Sequence, residues 1–346
     1  MSAIQWTDTT WNPVRGCSVV SPGCTHCYAM KQAHRFSAAG QQYAGLTKLT
    51  NGGPVWTGAV RLVPEKLDES LRWRKPRRVF VNSMSDLFHE GVPDEYVAAV
   101  FGVMAAAPQH DFQVLTKRPE RMRGWFAWLS AHGGIGPYIR SHAPVLRGYF
   151  ASGKRTEAYR GRTVRSSSDA WRMVFNAAAC VGAGPLPNVW LGVSVEDQAR
   201  ADERIPPLLQ TPAAVRFLSV EPLLGPVNLD AVLCRWRSSE NEGTRIGGRH
   251  EWTGLHWVIV GGESGYGARP CDVSWVRSVV AQCKAAGVAC FVKQLGSKPT
   301  STSDRISHRG DRSRRPCGFY RYLNSSKGGD PAEWPSDLHV REWPVK

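Results

Sequence analysis

The chain has 346 residues, 42% of them hydrophobic, and carries 44 Lys and Arg against 29 Asp and Glu, a formal net charge of +15. No apolar run approaches the ~20 residues that cross a bilayer, and residues 1–10 lack the basic and apolar stretches of a secretion signal. The sequence therefore predicts a cytoplasmic protein with no membrane partner. Its excess positive charge favours an anionic partner.

Short apolar runs alternate along the chain with amphipathic stretches of helical length, which is typical of an α/β protein with a parallel sheet. Helical spacing of apolar residues predicts helices over residues 94–107 and 274–286, the second ending at Gly287 as its C-cap. The predicted strands are residues 12–16, 79–83, 112–116, 189–193, 216–220, 256–260 and 289–293. This order predicts a partial (β/α) barrel of six or more parallel strands.

We expect one barrel domain over residues 1–296, with basic insertions at 131–187 and 235–252, and a basic C-terminal extension at 297–346. Residues 132–187 hold eight Lys and Arg against two Asp and Glu, as do residues 297–327. Aromatic residues among these charges, such as Tyr138 and Tyr149, could stack on unpaired bases. Nucleic acid, DNA more than RNA, or a nucleotide is the predicted partner, and ordinary solvated surface remains the alternative.

Polar side chains follow most of the predicted strands at their carboxyl ends. Barrel enzymes build their sites at this edge, so we expect the side chains to converge there. The same residue types also cap helices, and that alternative stays open. The set comprises Asn82, Ser83, Asp86, Thr116, Lys117, Ser194, Glu196, Ser219, Glu221, Glu263, Ser264, Lys293 and Gln294.

Three cysteines, Cys17, Cys24 and Cys27, follow the first predicted strand with six and two residues between them. Such a loop could present three thiolates to one metal centre. Structural zinc normally has four protein ligands, so a zinc site would need His26 or the more distant His89. A [4Fe-4S] cluster can be held by three cysteines, which leaves its fourth iron for a small molecule. The number of cysteines favours the cluster, because His26 lies between two of them, where its ring cannot easily reach the same metal.

A glycine-rich turn follows the sixth predicted strand and includes Gly261, Gly262 and Glu263. Successive glycine N–H groups can face an anion, and a plain tight turn is the alternative. We place Glu263 in the site as a catalytic candidate. Cys271 lies close enough along the chain to donate a hydrogen atom to a product radical, although a lone cysteine is more often inert.

The ordered motifs resemble the phage-associated three-cysteine-motif proteins, a radical S-adenosylmethionine (SAM)-like group without a settled activity. The commonest radical SAM loop has three residues between its first two cysteines, whereas this chain has six. The aromatic Tyr28 directly follows the last cysteine, as in that loop. The resemblance runs through residues 11–28, 81–88, 115–119, 191–196, 218–222, 261–265 and 327–335.

The resemblance implies a [4Fe-4S] cluster on Cys17, Cys24 and Cys27 that binds SAM and yields a 5′-deoxyadenosyl radical. An electron donor such as a flavodoxin or ferredoxin would be a partner, and phage DNA base hypermodification or repair a candidate task. A non-enzymatic nucleic-acid-binding protein with a structural metal at the cysteines is the alternative. Residues proposed to contact SAM are Tyr28, Asn82, Ser83, Lys117, Ser194, Glu196, Ser219, Glu221, Gly261 and Gly262.

Overall fold

The computed structural model describes residues 4–151, 166–181, 184–233, 254–301, 306–308 and 321–345. The helices are α1 (Tyr28–His34), α2 (Asp94–Ala105), α3 (Pro119–Ala131), α4 (Ile135–Ser141), α5 (Ala143–Ala151), α6 (Ser167–Cys180), α7 (Gln198–Leu209) and α8 (Val273–Ala286). The strands are β1 (Thr9–Trp11), β2 (Val14–Arg15), β3 (Thr47–Thr50), β4 (Gly53–Trp56), β5 (Arg61–Leu62), β6 (Arg78–Val81), β7 (Asp111–Thr116), β8 (Val189–Ser194), β9 (Val215–Val220), β10 (Trp257–Gly261), β11 (Cys271–Asp272), β12 (Ala289–Gln294), β13 (Pro299–Thr300), β14 (Ile306–His308) and β15 (Arg321–Leu323).

Seven strands form one parallel sheet in the order β1-β6-β7-β8-β9-β10-β12. This confirms the predicted α/β class and the expectation of at least six parallel strands. Six of the seven predicted strands lie within about two residues of strands of this sheet. Their near-continuous apolar sequences are typical of parallel strands covered on both faces, and all six residues of β8 are buried.

The first strand was predicted wrongly. Residues 9–11 pair with β6 in the sheet, Trp11 opposite Val81, whereas β2 pairs antiparallel with the short strand β5. Pro13 lies between β1 and β2 and has no N–H to donate to a neighbouring strand, so it interrupts the hydrogen bonding of this extended segment. The side chain of Asn12 instead accepts hydrogen bonds from Ser83 Oγ at 3.2 Å and from a backbone N–H at 3.0 Å.

The chain divides into two compact units, the first comprising residues 1–192 and 210–214 and the second residues 193–209 and 215–346. In the first unit, Trp11, Val79 and Phe112 are fully buried. The rings of Trp11 and Phe112 lie 5.8 Å apart. Burial of each such side chain contributes roughly 1.5–3 kcal/mol, so this layer anchors the strands whose ends carry the cysteine loop.

Three helices, α4, α5 and α6, lie in the predicted insertion at 131–187, of which residues 152–165 and 182–183 fall outside the described part. A methyl group on Gly136 would lie 2.5 Å from the carbonyl oxygen of Ala178, so α4 and α6 approach closely. Tyr138 is 1% exposed and stacks on His142 with ring centroids 4.0 Å apart. Its predicted role in stacking on bases is therefore wrong, because its ring is enclosed by protein.

In the second unit, α8 has the ends expected from its sequence. Asp272 accepts a hydrogen bond from the N–H of Ser274 at 2.8 Å. Gly287 adopts the left-handed conformation, with φ of 69°, which confirms it as the C-cap. Valines on the inner side of α8, among them Val276 and Val279, are fully buried.

Much of the remaining basic sequence lies outside the described residues. This holds for the insertion at 235–252 and for residues 302–305 and 309–320 of the C-terminal extension. Within the part of the chain that is described, no helix is long and apolar enough to cross a membrane.

Candidate functional site

The three cysteines lie in the first unit, on the chain between β2 and α1. Cys17 follows β2, Cys24 ends a short 3₁₀ helix (Pro22–Cys24), and Cys27 immediately precedes α1. All three thiols are free and half-buried. Cys17 and Cys27 pack against an apolar cluster that includes Met30 and Trp56. One loop therefore carries all three thiols, and two of them, Cys17 and Cys27, lie against an apolar wall.

Gly16 sets the direction in which the chain enters this loop. Its φ is 88°, and a methyl group there would lie 2.3 Å from the carbonyl oxygen of Ala59. Any other residue would be strained and would collide with backbone. Gly16 also forms a parallel bridge with Ser85, whose hydroxyl donates to the carbonyl of Val14 at 2.8 Å. The start of the loop is thus fixed to the chain that follows β6.

The far end of the loop is fixed to the same segment. The Tyr28 hydroxyl donates a hydrogen bond to the carbonyl of Ser83 at 2.7 Å, although the residue as a whole is 55% exposed. Asn82 adopts a φ of 60° and accepts from the N–H of Val14 at 3.3 Å. Its amide nitrogen is buried and has no hydrogen-bond partner among the described residues. The structure therefore brings Tyr28, Asn82 and Ser83 together beside the cysteine loop.

Arg118 connects the end of β7 to the first cysteine. Its guanidinium is nearly buried and donates to Asp86 Oδ2 at 3.0 Å, and it lies 3.8 Å from Cys17 Sγ. Its Nε donates to both carboxylate oxygens of Glu90 at 3.1 Å. Burial lowers the pKa of Arg118, but Asp86, Cys17 and Glu90 together raise it above its ordinary value. A permanent positive charge therefore lies against the Cys17 sulfur.

Asp86 holds this arginine in place. Its carboxylate accepts from the Thr116 hydroxyl at 2.8 and 2.9 Å, and from the N–H of Lys117 at 3.1 Å. The N–H of Phe88 donates to it at 3.0 Å. With so many donors, the buried charge of Asp86 is well satisfied, and the carboxylate fixes the ends of β6 and β7 beside the loop.

His89, the distant candidate for a fourth zinc ligand, has both ring nitrogens engaged. Nδ1 accepts from the N–H of Gly91 at 3.0 Å, and Nε2 lies 3.1 Å from Ser18 Oγ. Since Nδ1 is an acceptor, the tautomer assigned to this ring carries its proton on Nε2. Burial lowers the pKa of His89, and Arg118 lowers it further, so the ring is neutral at pH 7.

The pKa values of Cys17 and Cys27 depend on burial, on the other thiols and on the charges nearby. Burial, with smaller contributions from Asp86 and Cys27, raises the pKa of Cys17 to about 12, although Arg118 acts in the opposite direction. Burial also raises the pKa of Cys27; Cys24 adds to this rise, and Lys117 opposes it. Cys17 and Cys27 therefore keep their protons at neutral pH.

The three thiols are not arranged as a finished metal site. In the ranges that the structure describes, no group of three or more His, Cys, Asp or Glu side chains is placed to hold a metal ion. The predicted metal role of Cys17, Cys24 and Cys27 stays a prediction. Binding would require the thiols to lose their protons and to turn toward a common centre.

The second unit has its own set of polar side chains at strand ends. Glu196 is fully buried and its Oε2 lies 3.1 Å from Arg204 Nη1, on α7. The same Nη1 donates to the carbonyl of Ser194 at 2.7 Å. Ser194 Oγ donates to the carbonyl of Glu221 at 3.1 Å. Ser194 and Glu196 thus take part in a buried internal network, and contact of either with SAM stays a prediction.

Glu221 follows β9 and pairs with a lysine from β12. Lys293 Nζ lies 3.0 Å from Glu221 Oε1, and Ser219 Oγ donates to Glu221 Oε2 at 3.3 Å. Lys293 is half-buried. These three side chains form one polar cluster at the carboxyl ends of their strands, as the sequence pattern predicted for this edge. The contact of Ser219 and Glu221 with SAM stays a prediction.

The glycine-rich turn packs tightly against the end of β12. A methyl group on Gly262 would lie 2.4 Å from the carbonyl oxygen of Leu295, and one on Gly261 would lie 3.0 Å from that of Gln294. The N–H of Gly262 donates to this Gln294 oxygen at 3.0 Å. Close backbone approach is thus a structural reason for both glycines, and the N–H of Gly262 is already used within the protein.

Glu263 and Cys271, the two catalytic candidates, are both nearly buried. Arg269 donates to Glu263 through Nη2 at 2.6 Å and Nε at 2.9 Å, and its backbone N–H donates at 2.8 Å. Cys271 is 1% exposed, and burial raises the pKa of its thiol to about 12. Its Cβ lies 2.9 Å from where a methyl group on Gly262 would be. Their catalytic roles stay predictions.

The residue that sequence reasoning missed is Arg118. It stands in the Lys117-Arg118-Pro119 segment after the third predicted strand, where the sequence pattern assigns only Lys117 to the site. The feature of the sequence that could have identified Arg118 is its position, two residues beyond Thr116 at the end of β7. An arginine there can reach the cysteine loop because β1 and β2 lead into that loop, and β6 pairs with both β1 and β7.

The chain belongs to a family described as "Protein of unknown function (DUF5131)", whose model matches residues 1–316. No curated protein and no solved structure matches the chain. The family match therefore covers both polar sets described above and assigns neither of them an activity.

Proposed function

We propose that this protein is a radical SAM-type enzyme that holds a [4Fe-4S] cluster on Cys17, Cys24 and Cys27 and modifies or repairs a nucleic acid or nucleotide. In this proposal the parallel sheet is the partial barrel of such enzymes. The enzyme works in the cytoplasm, the host's if a phage encodes it, and receives electrons from a flavodoxin or ferredoxin. The observation that carries the proposal is the loop with three free thiols whose first sulfur faces a permanently charged arginine.

The donor set fits a cluster better than zinc. A structural zinc site needs a fourth ligand, and the ring nitrogens of His89 are already engaged by Gly91 and Ser18. Three cysteines suffice for a cluster with one open iron. The apolar wall behind Cys17 and Cys27 would exclude water from it, and burial of this kind is one of the factors that set a cluster's potential.

When bound, the cluster supplies one electron that cleaves SAM to methionine and a 5′-deoxyadenosyl radical, and the chemistry of this step belongs to the cofactor. The protein's own residues would hold and orient the cluster and SAM. Arg118 donates toward the Cys17 sulfur, and hydrogen bonds to cluster sulfurs raise the reduction potential. The buried Asn82 amide lacks an acceptor among the described residues, and a ligand carboxylate would supply one.

The test is anaerobic reconstitution with iron and sulfide. We expect about four iron and four sulfide per chain, lost in Cys17→Ala, Cys24→Ala and Cys27→Ala. Cys180→Ala is the matched control, because Cys180 is exposed on α6 and away from the loop. Zinc bound in place of iron under these conditions would refute the proposed cluster. It would favour the alternative, a nucleic-acid-binding protein with a structural metal.

SAM adds a second measurement. With the cluster reduced, SAM should change its electron paramagnetic resonance spectrum, since the methionine end would become an iron ligand, and 5′-deoxyadenosine should form. An unchanged spectrum at saturating SAM would refute the radical SAM assignment even where the cluster is present.

A further inference from the structure

The chain around the cysteine loop contains no acidic residue over residues 9–64, although it contains Arg15, Lys31, Arg35, Lys48 and Arg61. The nearest carboxylates in sequence are Asp8 and Glu65. Such a stretch concentrates positive potential on whatever surface it forms, because no negative side chain of its own offsets the cations.

Part of this stretch lies around the end of α1 and the start of β3. His34 Nδ1 lies 3.2 Å from Thr47 Oγ1, which joins the end of α1 to the start of β3. The residues that follow each of these, Arg35 and Lys48, are exposed. Phe36, next to Arg35, is 40% exposed. We call Arg35, Phe36, Lys48 and Arg61 the basic surface.

Arg61 joins this surface from β5. Its guanidinium is exposed and donates to the carbonyls of Gln42 at 3.1 Å and Ala44 at 2.8 Å. Carbonyl partners orient the side chain but do not neutralise its charge, as a carboxylate would. The N–H of Tyr43 donates to the carbonyl of Phe36 at 3.0 Å, so the loop that holds Arg61 also holds Phe36.

The basic surface leads to the cysteines along α1. Tyr28 lies seven residues before Arg35, two helical turns away on the same face, and it is 55% exposed directly after Cys27. The distance along the helix axis is roughly 10 Å. Exposed aromatic rings beside cations are the combination with which proteins bind single strands, the bases stacking while the cations track the phosphates.

We infer that a single-stranded nucleic acid binds along the basic surface and past Tyr28 toward the cysteine loop. This inference rests on the proposed function, whose substrate class it narrows to an unpaired strand or a flipped-out base. An acidic protein partner fits less well, because its carboxylates would pair with the cations but would supply no bases to stack on the exposed rings of Phe36 and Tyr28. A single strand also needs only a narrow track, such as one face of α1.

The test measures binding of a fluorescent oligothymidylate to the apoprotein over a range of salt concentrations. Arg35→Ala/Lys48→Ala should bind more weakly, and its log-log salt slope should be smaller by about 1.4, since each single-strand phosphate that a cation neutralises adds about 0.7 to the slope. Phe36→Ala should weaken binding by roughly 5- to 150-fold if a base stacks on the ring. Lys75→Ala/Lys284→Ala, which removes two exposed lysines outside residues 9–64, is the control and should match the parent.

Equal binding by Arg35→Ala/Lys48→Ala and the parent protein across the titration would overturn the inference. That result would not affect the proposed radical SAM chemistry. Binding of polyglutamate in preference to the oligonucleotide would also overturn it and would indicate an acidic protein partner. Failure to assemble a cluster, with oligonucleotide binding weakened in the double variant as expected, would refute the proposed chemistry and support the surface.

Discussion

The buried pair of Glu196 and Arg204 gives a sharp test of whether Glu196 is a structural residue or a ligand-binding one. Glu196 is 0% and Arg204 1% exposed, and their closest atoms are 3.1 Å apart. At an effective dielectric constant of 20, two charges at that distance attract by about 5 kcal/mol. Desolvation offsets most of this, so the pair as a whole contributes little, but either charge left alone is costly.

Glu196→Leu and Arg204→Met should each lower the free energy of unfolding by about 3–5 kcal/mol, because each leaves one buried charge unpaired. The double variant should lose only about 1–2 kcal/mol. Its remaining cost is the hydrogen bond from Arg204 to the carbonyl of Ser194, whose oxygen is left without this donor. The double variant is thus expected to be more stable than either single variant.

The assay is urea unfolding of the reduced apoprotein, followed by tryptophan fluorescence. Arg200 and Glu203 provide a matched control on the same helix, since they pair at 2.7 Å and Glu203 is exposed. Glu203→Leu should change stability by no more than about 1 kcal/mol. If the two single losses simply add in the double variant, the pair is not coupled as argued. If Glu196→Leu leaves stability unchanged, Glu196 is available to a ligand.

Four further predictions concern the cysteines and their loop. Gly16→Ala should lower the free energy of unfolding of the apoprotein, measured in urea, by about 2–4 kcal/mol, since it adds a backbone collision to the strain of positive φ. The control is Gly45→Ala, where φ is 77° but the space around the residue is open, and it should cost only about 1–2 kcal/mol. Equal losses in the two variants would contradict this prediction. Arg118→Gln should slow alkylation of Cys17 by iodoacetamide at fixed pH, because Arg118 lowers the pKa of that thiol; an unchanged rate would show that the charge does not act on the sulfur. Iron binding should strengthen as pH rises, since thiols with raised pKa must release protons to the solvent; iron content independent of pH would contradict it. Cys271 should resist alkylation until the protein unfolds, and mass spectrometry showing its modification in the native protein would refute its burial.

The sequence was enough to find the parallel strands, because short apolar runs bounded by polar residues are typical of strands that are covered on both faces. It placed the first strand wrongly since Val14 and Arg15 continue an extended pattern across Pro13, and only the pairing with β5 separates them from the sheet. It also could not show that Tyr138 is enclosed, since the helices around it were not predicted.

The carboxylates at the strand ends were predicted as polar site residues, but their partners were not. Glu196 pairs with Arg204 only eight residues further along the chain. Glu263 and Arg269 likewise pair at short range, whereas Asp86 meets Arg118 from another strand. Residue type and position along a strand indicate that a charge lies at the edge of the sheet. Which cation neutralises it depends on side-chain geometry that spacing does not determine.

The contacts that hold the cysteine loop bear on whether the protein folds before it binds a metal. Gly16, Ser85 and Tyr28 hold the loop through contacts that use none of its three thiols, so these contacts can form whether or not a metal is bound. Zinc fingers, in contrast, are unfolded without their metal. If the proposed cluster binds here, the apoprotein should therefore already be folded, and removing the cluster should leave a folded protein that can be reconstituted.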